Sequence, residues 1–246
     1  MKTKYILLSF MTAILALSSC SDLLDIPRKG AIDYNTYYKT DDEIESGVIT
    51  MYSDVRGWYY NVMLVKNIIS DDYYPGGAAH GDNVDMDALG EFAFNSETGQ
   101  IEGSFSGYYG LIYHANVIIG HIDPAQSEAA ARAVAEAHLF RGWAYFELTT
   151  LWGNPPIVDH ELDPSEYAQP NGSTEDLWAL IESDLTYAVN SGKLAQKSSV
   201  NDVTCWRVTK QFGQALLGKA YLWMAWALGD NSYYKKSADQ FAAVLN

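Results

Sequence analysis

The chain has 246 residues, of which 48% are hydrophobic and 13% are aromatic. This composition supplies enough apolar material for a sizeable core and argues against a disordered chain. The formal net charge of −15 at pH 7 repels phosphate backbones and anionic lipid surfaces, so it disfavours nucleic acid as a partner and charge-driven adsorption to a membrane.

Residues 1–19 are typical of a cleaved secretory signal. They begin MKTK, continue without a charge from residue 5 to residue 17, and end in two serines before Cys20. The apolar part is shorter than the roughly 20 residues of a membrane-spanning helix. LSSC at residues 17–20 resembles the lipobox of bacterial lipoproteins, whose cysteine is lipidated and becomes the first mature residue. We therefore expect lipid attachment at Cys20; an ordinary secretory signal that ends near a cysteine is the alternative.

The first predicted elements are an extended leader and an amphipathic helix. Residues 20–40 carry Pro27 and Gly30 and show no helical period, so they are predicted to be extended. TDDE at residues 40–43 has the capping-box pattern that starts a helix. Apolar residues then follow at helical spacing, and the helix is predicted to end near Gly57.

A second helix and a long loop come next. The apolar and aromatic residues 58–70 predict a helix, with Trp58, Tyr59 and Tyr60 in the core. DDYYPGGAAHGDNVDMDALGE, residues 71–91, is rich in glycine and aspartate and contains a proline. It predicts a long loop, and long structured loops tend to carry function.

Five further helices are predicted from apolar residues at helical spacing and from serine, threonine, glycine and proline near their ends. Alternation typical of a strand occurs only in short pieces such as residues 156–158, so the predicted fold class is all-α. The predicted helices cover residues 101–122, 127–152, 173–192, 209–228 and 232–245.

Two helical segments resemble each other. FRGWAYFELTTLWG, residues 140–153, aligns with LLGKAYLWMAWALG, residues 216–229, with two glycines, an alanine and a tyrosine in common. Their offset corresponds to about two helix-pair units of ~34 residues plus a loop, as in tetratricopeptide arrays. We predict tetratricopeptide-like helix pairs in which Gly142 and Gly218 allow the second helix to approach closely. Chance identity in alanine-rich helices is the alternative.

These segments together resemble the SusD/RagB family of Bacteroidetes surface lipoproteins. CSDLLDIP at residues 20–27 resembles the start of the mature family members. Residues 135–158 resemble their long helix and the Gly-x-x-Pro turn after it. Residues 174–189 and 207–245 match the helices that follow. The resemblance spans essentially the whole chain.

The resemblance implies a SusD-like helical domain with long irregular loops over residues 41–246. Family members are considerably longer, so it implies that this is the N-terminal part of the domain and that a C-terminal portion is missing. It also implies a lipid-anchored protein of the cell outer membrane that faces the exterior. Such a receptor captures an oligosaccharide or a peptide and delivers it to a TonB-dependent, SusC-like transporter. A helical-repeat scaffold that binds only another protein is the alternative function.

The sequence predicts neither a catalytic site nor a metal or other cofactor. It has no nucleophile elbow, zinc-protease helix, phosphate loop or paired-cysteine site. His114 and His121 are two helical turns apart, roughly 10.5 Å, which is too far to bind one metal ion. Asp82, Asp85 and Asp87 are an alternative calcium site, although they lack the regular spacing of calcium ligands.

The loop of residues 71–91 contains the groups that a sugar-binding site needs. Sugars present flat C–H faces to aromatic rings and present hydroxyl groups to carboxylates and amides. Tyr73 and Tyr74 supply rings, and Asp71 and Asp72 supply carboxylates. These four residues are the predicted ligand-binding site. The alternative is that the tyrosines pack under the loop as structure. Arg141 and Glu147, by contrast, are predicted to be structural partners within the most apolar helix.

Overall fold

The computed structural model describes residues 34–70, 72–77, 79–199, 201–202 and 205–245. These residues are mostly α-helical, and the β-type pairing among them consists of isolated bridges, so the all-α prediction is confirmed. The predicted signal peptide and Cys20 lie outside the described residues. No helix in the described part is long and apolar enough to cross a bilayer. The helices are α1 (Tyr34–Tyr37), α2 (Asp41–Ile68), α3 (Val84–Gly90), α4 (Gly99–His121), α5 (Glu128–Trp152), α6 (Thr174–Asn190), α7 (Lys210–Ala227) and α8 (Ser232–Leu245), with a 3-10 turn at Pro164–Glu166.

Side-chain caps start the helices where the sequence predicts them. The Thr40 hydroxyl accepts a hydrogen bond from Glu43 N, and the Glu43 carboxylate accepts one from Thr40 N, which completes the predicted capping box. Ser127, Ser173 and Thr209 each accept a hydrogen bond from the first turn of α5, α6 and α7. These bonds satisfy backbone N–H groups that a helix start leaves unpaired.

The long helices pack as three antiparallel pairs within the described residues. α2 packs against α4, α5 against α6, and α7 against α8. Contacts between α4 and α5 and between α6 and α7 join the pairs into one stack with a continuous core. The predicted tetratricopeptide-like helix pairs are therefore confirmed.

Gly142 and Gly218 occupy equivalent places in successive pairs. A Cβ atom at Gly142 would lie 2.8 Å from Leu185 on α6, and one at Gly218 would lie 3.1 Å from Phe241 on α8. Both separations are shorter than an ordinary van der Waals contact, so a larger residue would displace the neighbouring side chain. As the internal similarity predicts, glycine lets the two helices of each pair approach closely.

The predicted helix break near Gly57 is wrong, because α2 runs without interruption from Asp41 to Ile68. Gly57 is exposed, and a Cβ atom there would meet no atom within 4 Å, so this glycine makes neither a turn nor a close contact. Glycine inside a helix costs roughly 1 kcal/mol. Full burial of Val62 and near-full burial of Val65 in the second half of α2 outweighs that cost.

Two further predictions need correction: the burial of residues 58–60 and the extended conformation of the leader. Trp58 packs against the core, but Tyr59 is 37% exposed and Tyr60 is 61% exposed. Three consecutive residues of a helix span roughly 200° of its circumference, so they do not all face one core. In the predicted extended leader, residues 34–37 form the short helix α1, whose tyrosine rings pack against the core.

Arg141 is the buried cation at the centre of the stack. Its side chain on α5 donates from Nε and Nη2 to the two carboxylate oxygens of Asp184 on α6, at 2.7 and 2.8 Å. Its Nη1 donates to Oδ1 of Asn116 on α4 and to the backbone oxygen of Asp159. Burial opposes the charge, but the hydrogen bonds and the charge of Asp184 raise the pKa of Arg141 overall. One side chain thereby joins three helices and the segment after α5.

Two further polar side chains of α5 hold its neighbours. The Glu147 carboxylate is almost fully buried and pairs with Lys66 of α2. The Tyr145 hydroxyl accepts a hydrogen bond from Val158 N at 2.6 Å and lies 3.0 Å from Val158 O, to which it donates. Glu147, like Arg141, thus has a structural role, but its partner is a residue of a neighbouring helix rather than the other predicted residue of α5.

We expect Arg141→Met to lower the free energy of unfolding by about 3–5 kcal/mol, because Asp184 would stay buried without its main partner. Lys235→Met is the matched control, since Lys235 is exposed and pairs with Asp239 one helical turn away. Its loss leaves stability nearly unchanged. Urea denaturation of the parent chain and both variants measures the two effects. Similar unfolding midpoints for both variants would contradict the central role of Arg141.

Candidate functional site

A cleft of about 230 Å³ lies where α2 ends and the chain crosses to α3. The end of α2, the connecting loop and the end of α3 form its walls. Aromatic rings, a histidine and carboxylates all contribute to its lining, so the cleft offers both apolar faces and hydrogen-bonding groups. The side chains that give it this character are Tyr73, Tyr74, His80, Asp87, Glu91 and Phe92.

The structure brings two of the four predicted binding residues into this cleft. Tyr73 is 59% exposed and Tyr74 is 80% exposed, and both line it. Rings that supported the loop from below would be buried, so this exposure argues against the packing alternative for these tyrosines. Asp72 is exposed in the same loop but outside the lining. Asp71 lies outside the described residues.

The acidic residues of the loop hold its backbone. Oδ2 of Asp82 accepts a hydrogen bond from the N–H of residue 79 at 3.1 Å, and Oδ2 of Asp87 accepts one from Gly81 at 2.7 Å. Oδ2 of Asp85 accepts one from the first residue of α4 at 3.2 Å. The three carboxylates are thus directed at separate backbone groups rather than at one point. Among the described residues, no three His, Cys, Asp or Glu side chains are arranged to hold a metal ion.

The prediction of a continuous loop is wrong for residues 84–90, which form α3. Asn83 caps this helix, because its Oδ1 accepts a hydrogen bond from Met86 N at 3.1 Å. The helix has seven residues, and only Leu89 is buried, so it lacks the apolar repeat by which longer helices are recognised. Asparagine followed by two aspartates is the signal that could have revealed it.

Pro75 anchors the tyrosine pair to α3. A Cβ atom at Gly90 would lie 2.8 Å from Cγ of Pro75, so glycine is what admits the proline ring at this place. The backbone next to Tyr74 is therefore held against a helix rather than left free. Side chains on an anchored backbone lose less conformational freedom when they bind a ligand.

Phe92 adds a third exposed ring, which the sequence analysis missed. The side chain is 65% exposed, and its φ of 58° makes it the one non-glycine residue with a positive φ in the described part of the chain. Ala93 N donates to Ala88 O at 2.8 Å and Phe92 N donates to Leu89 O at 3.4 Å, which is the Schellman pattern at the end of α3. Glycine usually takes this position, because an L side chain in the left-handed region costs roughly 1–2 kcal/mol. A costly conformation that presents a ring to a cleft points to binding.

Charged side chains give the cleft an acidic character. Nε2 of His80 lies 2.8 Å from Oε1 of Glu91, and this hydrogen bond raises the pKa of His80. Asp87 and Glu91 outnumber His80 in the lining. Because the chain as a whole is also strongly negative, the cleft disfavours anionic ligands.

His114 and His121, which the sequence places too far apart to share a metal, bind to separate carboxylates. Nδ1 of His114 pairs with Asp54 of α2. Nε2 of His121 lies 2.9 Å from Oε2 of Glu161. These pairs connect helices and loops of the stack and do not line the cleft.

Comparison with known proteins identifies the family. The family model described as "Starch-binding associating with outer membrane" matches residues 33–222. A SusD-like protein of Bacteroides ovatus is 30% identical over 234 residues, which cover 90% of this chain and 39% of that protein. The chain belongs to the SusD-like family. The resemblance that its sequence motifs indicate is therefore confirmed.

Solved SusD-like structures share the fold. A "Laminarin binding SusD-like protein" matches with a TM-score of 0.67 and 27% identity, over 85% of this chain and 43% of that chain. Surface glycan-binding protein A from Bacteroides uniformis matches with a TM-score of 0.69 and 18% identity, over 84% and 46%. A crystal structure with xylogluco-oligosaccharide gives 0.64 and 23%, over 82% and 40%. The chain thus spans less than half the length of each of these three proteins.

We expect Phe92→Gly to be as stable as the parent chain or up to about 1 kcal/mol more stable, because glycine adopts a positive φ without steric cost. Phe92→Ala is the matched control: it removes the same ring but keeps the Cβ atom, so it should be about 1 kcal/mol less stable than Phe92→Gly. Thermal and urea unfolding measure the difference. An alanine variant as stable as the glycine variant would show that the conformation carries no cost.

Proposed function

We propose that this chain belongs to a non-catalytic lipoprotein on the outer face of the outer membrane, which binds a neutral oligosaccharide and delivers it to a TonB-dependent, SusC-like transporter. The cleft at Tyr73 and Tyr74 is the observation that carries the ligand. The relative described as laminarin-binding and the family description as starch-binding support a glycan.

The three exposed rings of the cleft match the surface of a sugar. A pyranose ring presents C–H bonds on its faces, which contact aromatic rings, and hydroxyl groups on its edge. Tyr73, Tyr74 and Phe92 supply the faces, while Asp87 and the Glu91 carboxylate supply acceptors for hydroxyl hydrogens. Small polar groups beside apolar walls are the usual composition of a site that orients a neutral ligand.

The acidic lining selects among glycans. A uronate or a sulfated sugar would bring negative charge next to Asp87 and Glu91, where repulsion lowers its affinity. A neutral glucan carries no charge and is not repelled. Peptides remain the second ligand class, and an acidic peptide is disfavoured for the same reason.

The competing function is a helical-repeat scaffold that binds only another protein, and one observation favours it. Leu222, Trp223 and Trp226 on α7 are 48%, 37% and 75% exposed and line an almost wholly apolar cleft of about 380 Å³. Apolar surface of this kind is common where proteins meet. The scaffold hypothesis makes no use of the tyrosine cleft, so variants of that cleft separate the two functions.

The outer-membrane anchor is proposed at Cys20, which lies outside the described residues. The family description associates its members with the outer membrane. One acyl chain holds a protein only marginally, whereas two or more give lasting attachment. With a chain of net charge −15, attachment would come from lipid rather than from attraction to anionic headgroups.

We expect Tyr73→Ala and Tyr74→Ala each to weaken binding of a neutral oligosaccharide by about fivefold to tenfold, the effect of one lost ring contact. Isothermal titration with laminari-, malto- and xylogluco-oligosaccharides measures it. Tyr167→Ala is the matched control, because Tyr167 is 69% exposed and lies outside the cleft. Oligosaccharide affinities that do not change in the two cleft variants would rule out this site, and product formation from any of these glycans would make the protein an enzyme.

We expect Cys20→Ser to move the protein from the membrane fraction to the soluble fraction, because serine has no thiol to acylate. Cys205→Ser is the matched control and should stay with the membrane, since Cys205 is a half-buried residue in the segment between α6 and α7. Cell fractionation and mass spectrometry of the mature amino terminus measure both. An unmodified terminus in the parent protein would remove the anchor from the proposal.

A further inference from the structure

A second cleft, of about 350 Å³, is bounded by the same chain segment as the first, residues 91–96, which we call the wall. The segment that follows α3 contributes Glu91 and Phe92 to the first cleft and Phe94 to the second. The end of α2, the start of α4 and the end of α5 complete the second cleft. Two residues of extended chain reach at most about 7 Å, so the rings of Phe92 and Phe94 start from neighbouring points on this wall.

The lining of the second cleft resembles that of the first in its mixture of groups. Phe94 and Leu151 are 36% and 38% exposed, and Trp152 is half-buried beside them. Asn95 and Ser96 supply polar atoms at its edge. Aromatic faces next to an amide and a hydroxyl suit the C–H faces and hydroxyl groups of a sugar.

The polar edge of the second cleft has a fixed backbone. Oδ1 of Asn95 accepts a hydrogen bond from Glu97 N at 2.8 Å, and Asn95 N donates to the Thr98 hydroxyl at 3.1 Å. This Asx turn leads directly into α4, which begins at Gly99. The wall between the two clefts is therefore held at both ends by helices, by the Schellman pattern of α3 and by the start of α4.

The sizes of the clefts argue that they act together. Ligand pockets usually measure roughly 300–1,000 Å³. At about 230 Å³ the first cleft falls below that range, and at about 350 Å³ the second lies at its lower end. A ligand that occupied both clefts would fill a volume within the usual range, whereas a ligand confined to the first cleft would not.

We propose that the second cleft is a further sugar subsite, so that the ligand is a linear oligosaccharide whose chain runs from Tyr74 past Phe92 to Phe94. This inference rests on the proposed function, because it assumes that the first cleft binds sugar. It adds a ligand class: chains long enough to cross the wall bind more tightly than mono- or disaccharides.

Titration with a length series tests this inference. The parent chain, Phe94→Ala and Tyr74→Ala are titrated with laminari-, malto- and xylogluco-oligosaccharides from the disaccharide to the hexasaccharide. We expect Phe94→Ala to weaken hexasaccharide binding by about fivefold to tenfold and to leave disaccharide binding unchanged. Tyr74→Ala should weaken both. Phe212→Ala is the matched control, because Phe212 is 43% exposed on α7 and lines neither cleft.

Each other outcome overturns the inference in a recognisable way. If Phe94→Ala changes hexasaccharide affinity no more than Phe212→Ala does, while Tyr74→Ala weakens it, glycan binding stands and the second subsite does not. If Phe94→Ala instead lowers binding of 1-decanol, added as an uncharged apolar probe, the cleft takes an apolar ligand. If the parent chain binds none of the oligosaccharides, the proposed function fails together with the inference.

Discussion

The buried guanidinium of Arg141 is the constraint on which the arrangement of the other helices depends. A charge without partners in the core costs several kcal/mol, so the fold has to bring acceptors to its N–H groups. Those acceptors come from Asp184 on α6, from Asn116 on α4 and from the segment after α5. An apolar side chain of similar volume would pack against these helices at several registers. The guanidinium group of Arg141 makes all its hydrogen bonds in only one of these registers. It thereby fixes where α4 and α6 lie along α5.

The position of the tyrosine cleft follows from that register. With α4 fixed on α5, α2 is placed along α4, where the ring of Trp58 lies so close to Gly107 that a Cβ atom there would be 2.4 Å from it. The cleft then forms between the end of α2 and α3, and Asp85 of α3 accepts a hydrogen bond from the first residue of α4. Binding groups at the ends of rigid helices keep their geometry better than groups on free loops. Helix packing and the hydrogen bond of Asp85 thus connect the buried polar network to the exposed rings.

The features that could be predicted from the sequence are those that depend on neighbouring residues alone. Three short motifs of the sequence are in place in the structure: the capping box at Thr40, the glycines of two helix pairs, and the exposed pair Tyr73–Tyr74. The predicted break at Gly57 was wrong because long-range burial outweighs a local cost of about 1 kcal/mol. Phe92 could not be found, because its importance depends on a positive φ at the end of a helix too short for any periodicity. Only the folded backbone shows that a phenylalanine stands where glycine is usual.

The proposed function requires a receptor that binds its ligand and then releases it to a transporter, and the chemistry of these clefts suits that requirement. The acidic side chains of the first cleft repel anionic sugars, so strong charge pairing is not a source of affinity there. Contacts between sugars and aromatic rings remain, and each contributes about 1 kcal/mol. Their attraction is short-ranged, and the same contact can repeat along an oligosaccharide of similar sugars. Affinity then grows with the number of rings engaged rather than with any single strong bond. An oligosaccharide bound in this way can leave one aromatic ring at a time. A neighbouring binding site can therefore take one end of it before the other end is released.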